Sequence, residues 1–140
     1  MEFVENSLIL FDTNEGRIVQ LDTKGKVEKK VVESLAEVGF GVLTEINIQN
    51  AFKDKLNIKY KKYKILGACH PKLAHQALED EPMIGILMPC NILIIDNENG
   101  STKIVFPYAH SLLDITKNDA INHLSNEVDE LLKNAFEKII

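Results

Sequence analysis

The chain has 140 residues and a mass of 15.8 kDa, one domain's worth of polypeptide. Its 45% hydrophobic and 26% charged content excludes an intrinsically disordered chain. Sixteen basic against 21 acidic residues give a formal charge of -5, which argues against a nucleic-acid-binding face. The longest apolar run, Ile92-Leu93-Ile94-Ile95, is far too short to span a membrane. The start, Met1-Glu2-Phe3-Val4-Glu5-Asn6, has neither the basic flank nor the apolar stretch of a signal peptide. Two cysteines are too few for a secreted disulfide scaffold. The expected setting is a reducing cytoplasm with both thiols free and neither nucleic acid nor membrane as partner.

Ser7 to Phe11 is a short apolar run of strand type, followed by the turn formers Asp12-Thr13-Asn14-Glu15-Gly16. Residues 1–16 are therefore expected to be a strand arm or a variable N-terminal extension, and residues 17–140 a single domain. Arg17 to Leu21 reads as a strand, and Thr23 as the cap of a helix. Val27, Val31, Leu35 and Val38 form the apolar face of that helix, and Gly39 fits its left-handed stop. Phe40, Val42, Thr44 and Ile46 alternate as a half-buried strand. Asn47 caps a short helix that carries Ile48, Ala51, Phe52 and Leu56 on one side.

The one basic cluster is Lys59-Tyr60-Lys61-Lys62-Tyr63-Lys64. Its tyrosines have the chemistry to stack bases, but a solvated strand start fits the acidic whole better. Tyr63 to Cys69 is the next strand. His70-Pro71 opens a helix, since proline suits the first turn and pushes the residue before it out of helical geometry. Leu73, Ala74, Ala77 and Leu78 are expected to face inward before Glu81-Pro82 ends it. Cys90 to Asp96 is apolar on both faces at its centre, as a central strand is. Asn97-Glu98-Asn99-Gly100 then turns the chain into a partner strand, Thr102 to Phe106, closed by Pro107. Tyr108 to Ile115 is a short helix. The last helix runs from Asp119 to Lys138 with Ala120, Leu124, Val128, Leu131, Ala135 and Ile139 on its apolar face.

The late strand–strand hairpin predicts an α+β fold with helices packed on one face of a mixed or mostly antiparallel sheet. An α/β fold with a mainly parallel sheet is the alternative, because strands and helices alternate over the first half.

Several stretches carry a resemblance: Gly39-Phe40-Gly41-Val42-Leu43-Thr44-Glu45-Ile46, then Tyr63-Lys64-Ile65-Leu66-Gly67-Ala68-Cys69-His70-Pro71, Ala74 to Ala77 with Glu81-Pro82, and Ile84-Gly85-Ile86-Leu87-Met88-Pro89-Cys90-Asn91. By order and spacing the chain resembles, over residues 17–140, the family of domain of unknown function 302. The resemblance implies a small α+β domain, often a homodimer, with no established activity. The family commonly has Asn where this chain has His70, so a metal reading that uses His70 belongs to this chain and not to the family.

Cys69 ends one strand and Cys90 begins another, each beside a polar residue and a proline. If the strands are neighbours, Cys69, His70, Pro71, Pro89, Cys90 and Asn91 form one small site. The helix start beside it offers unpaired N–H groups and a positive dipole end, which would depress a thiol pKa and cradle an anion. Four readings follow. The thiols are core fillers. The site binds a small-molecule or thiol-reactive ligand. It is a redox centre with Cys69 as nucleophile and Cys90 as resolving partner, which requires Cα atoms within about 7 Å. Or Cys69, Cys90 and His70 or His75 hold a soft metal such as Zn or Cu(I), although the spacing matches no standard framework. The leading expectation is a cytoplasmic ligand-binding module, with a redox or metal role and a structural dimerisation role as alternatives. The sequence names no cofactor.

Gly41 and Gly67 lie within strands, where glycine allows a close approach of backbone or ligand. Glu79, Asp80 and Glu81 read as a solvated acidic run at a helix end. His110 and His123 sit beside Ser111 and Asn122 with no triad spacing, although a triad is assembled in space.

Overall fold

Apolar alternation produces strands, but the order of strands decides where each connection lies. The computed structural model describes residues 7–12, 16–21 and 27–139. Six strands form one sheet: β1 (Ser7–Asp12), β2 (Gly16–Leu21), β3 (Gly41–Asn47), β4 (Tyr63–Cys69), β5 (Cys90–Asp96) and β6 (Thr102–Pro107). Their spatial order is β1-β2-β6-β5-β4-β3, and every ladder is antiparallel. The fold is α+β, and the mainly parallel alternative is overturned. Strand and helix do alternate, but β3 and β4, and then β4 and β5, are antiparallel neighbours. Their intervening helices stay at one end of the sheet instead of crossing it. The turn residues Thr13, Asn14 and Glu15, the Thr23 cap and residues 1–6 lie outside the described residues.

The helices are α1 (Val27–Glu37), α2 (Ile48–Leu56), α3 (Pro71–Asp80), α4 (Ala109–Leu113) and α5 (Asp119–Ile139), with 3₁₀ turns at Pro82–Leu87 and Asp114–Thr116. No helix among the described residues is long and apolar enough to cross a membrane. Residues directly opposed across a ladder share a face. Val19, Ile104, Leu66, Ala68, Ile92 and Phe106 are buried on the face that meets the helices. Against them pack Val31 and Leu35 of α1 and a long stripe of α5. Phe106 meets Phe136 edge-on, with ring centroids 5.3 Å apart. Lys64, on the same face of β4, binds Glu28 of α1 at 2.8 Å and Glu45 of β3 at 2.7 Å. Those two hydrogen-bonded carboxylates raise its pKa, so part of the basic cluster is neutralised within the fold. Tyr60 of that cluster lies edge-on to Phe52, with Lys61 over its ring.

Four inward faces differ from expectation. On α5 the buried set is Ile121, Leu124, Ser125, Val128, Leu132, Ala135, Phe136 and Ile139, whereas Ala120 is exposed and Leu131 half-buried. The larger Ile121, Leu132 and Phe136 bury more apolar area, and they rotate the stripe away from Ala120. On α3 Leu73 and Ala77 are buried, but Leu78 is exposed. Helix α2 buries nothing completely, and Leu56 is exposed. It joins β3 to its antiparallel neighbour β4 at one end of the sheet. In β3 a bulge between Val42 and Thr44 shifts the register. Val42 therefore opposes Ala68 on the helix side, whereas Thr44 and Ile46 oppose Gly67 and Ile65 on the other.

Candidate functional site

The antiparallel order brings the end of β4, the start of β5 and the end of β6 to the same edge of the sheet. Helix α1 also delivers its stop to that edge. Gly39 sits at φ +90° and Phe40 N–H donates to the Leu35 carbonyl at 2.9 Å, which ends α1 and turns Phe40 inward. The His70 ring packs edge-on to Phe40, with centroids 5.4 Å apart. A Cβ on Gly39 would come within 2.8 Å of that ring, so glycine serves both the helix stop and the seating of His70. Gly67, within β4, is also closely approached: a Cβ there would meet Thr44 at 2.1 Å and Pro89 at 2.7 Å. Gly41, by contrast, has open space beside it.

His70 caps α3 as the His70-Pro71 pair suggests. Its Nδ1 accepts the Leu73 N–H at 3.4 Å, and its carbonyl accepts the Ala74 N–H at 2.9 Å. Pro71, at the first helical position, has no N–H to give. The donors expected to cradle an anion are therefore largely engaged inside the chain.

At this edge lies a cavity of about 60 Å³. Cys69, His70, Pro89 and Cys90 line it, as the sequence suggests. Pro71 is an exposed first-turn residue, and Asn91 is exposed and opposes Gly67 away from the helices; neither reaches the cavity. The rest of the wall comes from Phe40, Leu73, Ile84, Met88, Leu113 and Leu124, among others. Nothing in their spacing marks them as a common wall, because they are drawn from most of the chain's length.

Both cysteines are free. In the ladders Cys90 opposes Ala68, while Cys69 opposes Gly41. The two thiols thus hold adjacent ladder positions, not directly opposed ones, and no disulfide joins them. Burial pushes both thiols up. Cys90 is pushed up to about 11, first by burial and then by the nearby Cys69 and Asp129. This is opposite to the depressed thiolate that a helix start suggests. At neutral pH both groups are thiols, and they act as apolar wall more than as reagents.

Of the metal candidates, Cys69, His70 and Cys90 share the cavity and His75 stands apart from it. His70 uses Nδ1 in its cap, and His75 lies exposed, 3.3 Å from Glu79 on the next turn. Among the described residues no group of three or more His, Cys, Asp or Glu side chains is placed to hold a metal ion.

One contact has no signal in the sequence. Asp129 of α5 accepts the backbone N–H of Ala109 and, at 3.1 Å, that of His110, and it also meets the His110 Nδ1. A single carboxylate thereby caps α4 and holds it against α5 at the cavity wall. The His110 side chain finds its carboxylate in space, as the triad argument allowed, and the visible consequence is this tie.

Gly39→Ala is expected to lower stability by about 1–3 kcal/mol, since it forces a side chain into the left-handed region and against His70. Urea unfolding measures the loss, and the His70 ring protons should shift as the ring leaves Phe40. An unchanged His70 spectrum would contradict the seating described. For the thiols, iodoacetamide at neutral pH should label Cys90 more slowly than Cys69, and both more slowly than a free cysteine. A thiol whose pKa rises on folding holds its proton longer in the native state, so this part of the stability is intact below the unfolded pKa. It is lost as pH rises toward the folded value of about 11 for Cys90. A Cys90 alkylation midpoint near about 8.5, the ordinary thiol value, would refute the burial argument.

No curated protein shows significant similarity to the chain. Among solved structures, the crystal structure of the uncharacterized conserved protein DUF302 from Bacillus stearothermophilus is similar, with a TM-score of 0.81 and 23% identity. The match covers 89% of this chain and 98% of that one, and at this identity it speaks for the fold alone. The sequence itself matches the family described as "Domain of unknown function DUF302" over residues 19–139. The chain belongs to that family.

Proposed function

We propose that the domain is a binding module that encloses an apolar group of a small molecule at the strand ends of Cys69 and Cys90. The supporting observation is the cavity itself. It is walled by aliphatic side chains and protonated thiols, and it sits where the sheet, α3, the Pro82–Leu87 turn and α4 meet. Apolar voids of this kind stay dry and take up apolar guests. Cys69 is the less buried of the two thiols and would be the one an electrophilic ligand meets. The test uses xenon as the probe. Under xenon pressure, the methyl resonances of Leu73, Ile84, Leu113 and Leu124 should shift together and saturably, while those of exposed Leu56 stay in place. Equal, non-saturating shifts at all methyls would remove the proposal.

A second reading, a homodimer, is favoured by the other face of the sheet. Ile18, Val105, Leu93, Ile65 and Ile46 oppose one another in turn across five strands, away from the helices, and none of them is fully buried. A continuous apolar row of this length on a surface marks an interaction site. Light scattering should give twice the chain mass for the wild type and the monomer mass for Leu93→Lys. A wild type that stays monomeric at every concentration tested would rule the dimer out.

A further inference from the structure

We infer that the cavity and its mouth take the aliphatic chain of a single-chain amphiphile whose polar end is neutral or cationic. The inference rests on the pocket reading above and names its ligand class.

The first observation is the size and chemistry of the void. At about 60 Å³ it is well below the roughly 150 Å³ of an engineered cavity that admits benzene. A slim hydrocarbon end fits such a space and an aromatic ring does not. The wall has little to offer a polar group: the His70 Nδ1 is committed to its cap, and both thiols are held protonated by burial.

The second observation is what continues from the void to the surface. Leu112 lines the cavity yet is 46% exposed, so it marks the mouth. The two short segments that flank it carry further exposed apolar side chains. Met83 is 67% and Ile86 79% exposed on the Pro82–Leu87 turn, and Ile115 is 71% exposed just after α4. The Asn118 side chain donates to the Asp80 carbonyl at 3.3 Å, which ties the end of α3 to the start of α5 and keeps these segments side by side. The buried wall and this exposed collar share a sequence neighbourhood: Ile84 and Leu87 wall the cavity while Met83 and Ile86 face solvent. A chain with its end in the void would lie along the collar and cover it.

The third observation is charge. Over residues 79–88 and 109–117 the charged side chains are Glu79, Asp80, Glu81 and Asp114 against Lys117, with His110 beside them. Glu79 meets His75 at 3.3 Å and Asp114 meets Lys117 at 3.4 Å, both on the surface where such pairs are well screened. The sequence flanking the mouth is net acidic, and so is the whole chain. It disfavours a carboxylate head and an anionic bilayer, and it suits an alcohol or an ammonium.

The experiment titrates the intact protein with decylamine, decanol and decanoate below their micelle concentrations, and follows the same methyl resonances as the xenon experiment. Decylamine and decanol are expected to bind with shifts at Leu112, Leu113 and Ile84, and decanoate at least several-fold more weakly. Along hexyl, octyl and decyl amines the affinity should rise by up to about fourfold per methylene. Ile86→Ser and Ile115→Ser change exposed side chains and spare folding; each should weaken decylamine several-fold and leave the xenon shifts as they are. If xenon perturbs the cavity but no alkyl chain does, this inference falls and the pocket reading stands. If neither does, both fall. Decanoate binding as tightly as decylamine, or an affinity indifferent to chain length, overturns the inference as well.

Discussion

The antiparallel pairing of β4 with both β3 and β5 is the constraint on which the rest depends. An antiparallel partner must start where its neighbour ends. The stretch between β3 and β4 is therefore confined to one end of the sheet, and the stretch between β4 and β5 to the other. The first holds α2, which buries no residue fully. The second holds α3 and the Pro82–Leu87 turn, and the chain leaving β6 adds α4 at that same end. Three short segments thus crowd one edge of the sheet. Their apolar sides close against the strand ends, and a small void remains where they meet.

That edge is held by backbone groups more than by side-chain bulk. The left-handed Gly39 turns Phe40 inward and leaves room for His70, and His70 in turn caps α3. Asp129 caps α4 from across the helix layer. Unpaired N–H groups at helix starts are costly when buried, and those of Leu73, Ala74, Ala109 and His110 are met by acceptors inside the chain. The consequence for chemistry is direct. Donors engaged in caps are not on offer to an anion, and thiols placed among aliphatic side chains keep their protons. The same packing that builds the cavity makes it a place for an apolar guest more than for a charged reaction.

The two faces of the sheet are equally apolar in sequence and unequal in the fold. The helix side is sealed by α1 and α5, with Phe106 against Phe136 at its centre. The other side carries the row from Ile18 to Ile46, half-buried along its length and exposed at Ile46. Within the apolar run Ile92–Ile95, Ile92 is fully buried under the helices and Leu93 belongs to the half-buried row, while Ile95 on Leu93's side is itself buried.

Local chemistry in the sequence determined the elements. Gly39, Asn47, His70-Pro71 and the turn after Asp96 act within a few residues of themselves, and each appears in the structure as a stop, a cap or a turn. Cys69, His70, Pro89 and Cys90 share the cavity, while Pro71 and Asn91, equally near the same strand ends in sequence, lie outside it. What only the tertiary structure decided is everything set by register and by long separations in the chain. A bulge at Val42/Thr44 reversed the faces of Thr44 and Ile46, and pleat alternation set Cys69 and Cys90 at different positions. The bond between Asp129 and the start of α4 spans about twenty residues of chain with no pattern to announce it. Composition fixes how much apolar surface must be covered, and only the three-dimensional order of strands decides which part is left uncovered.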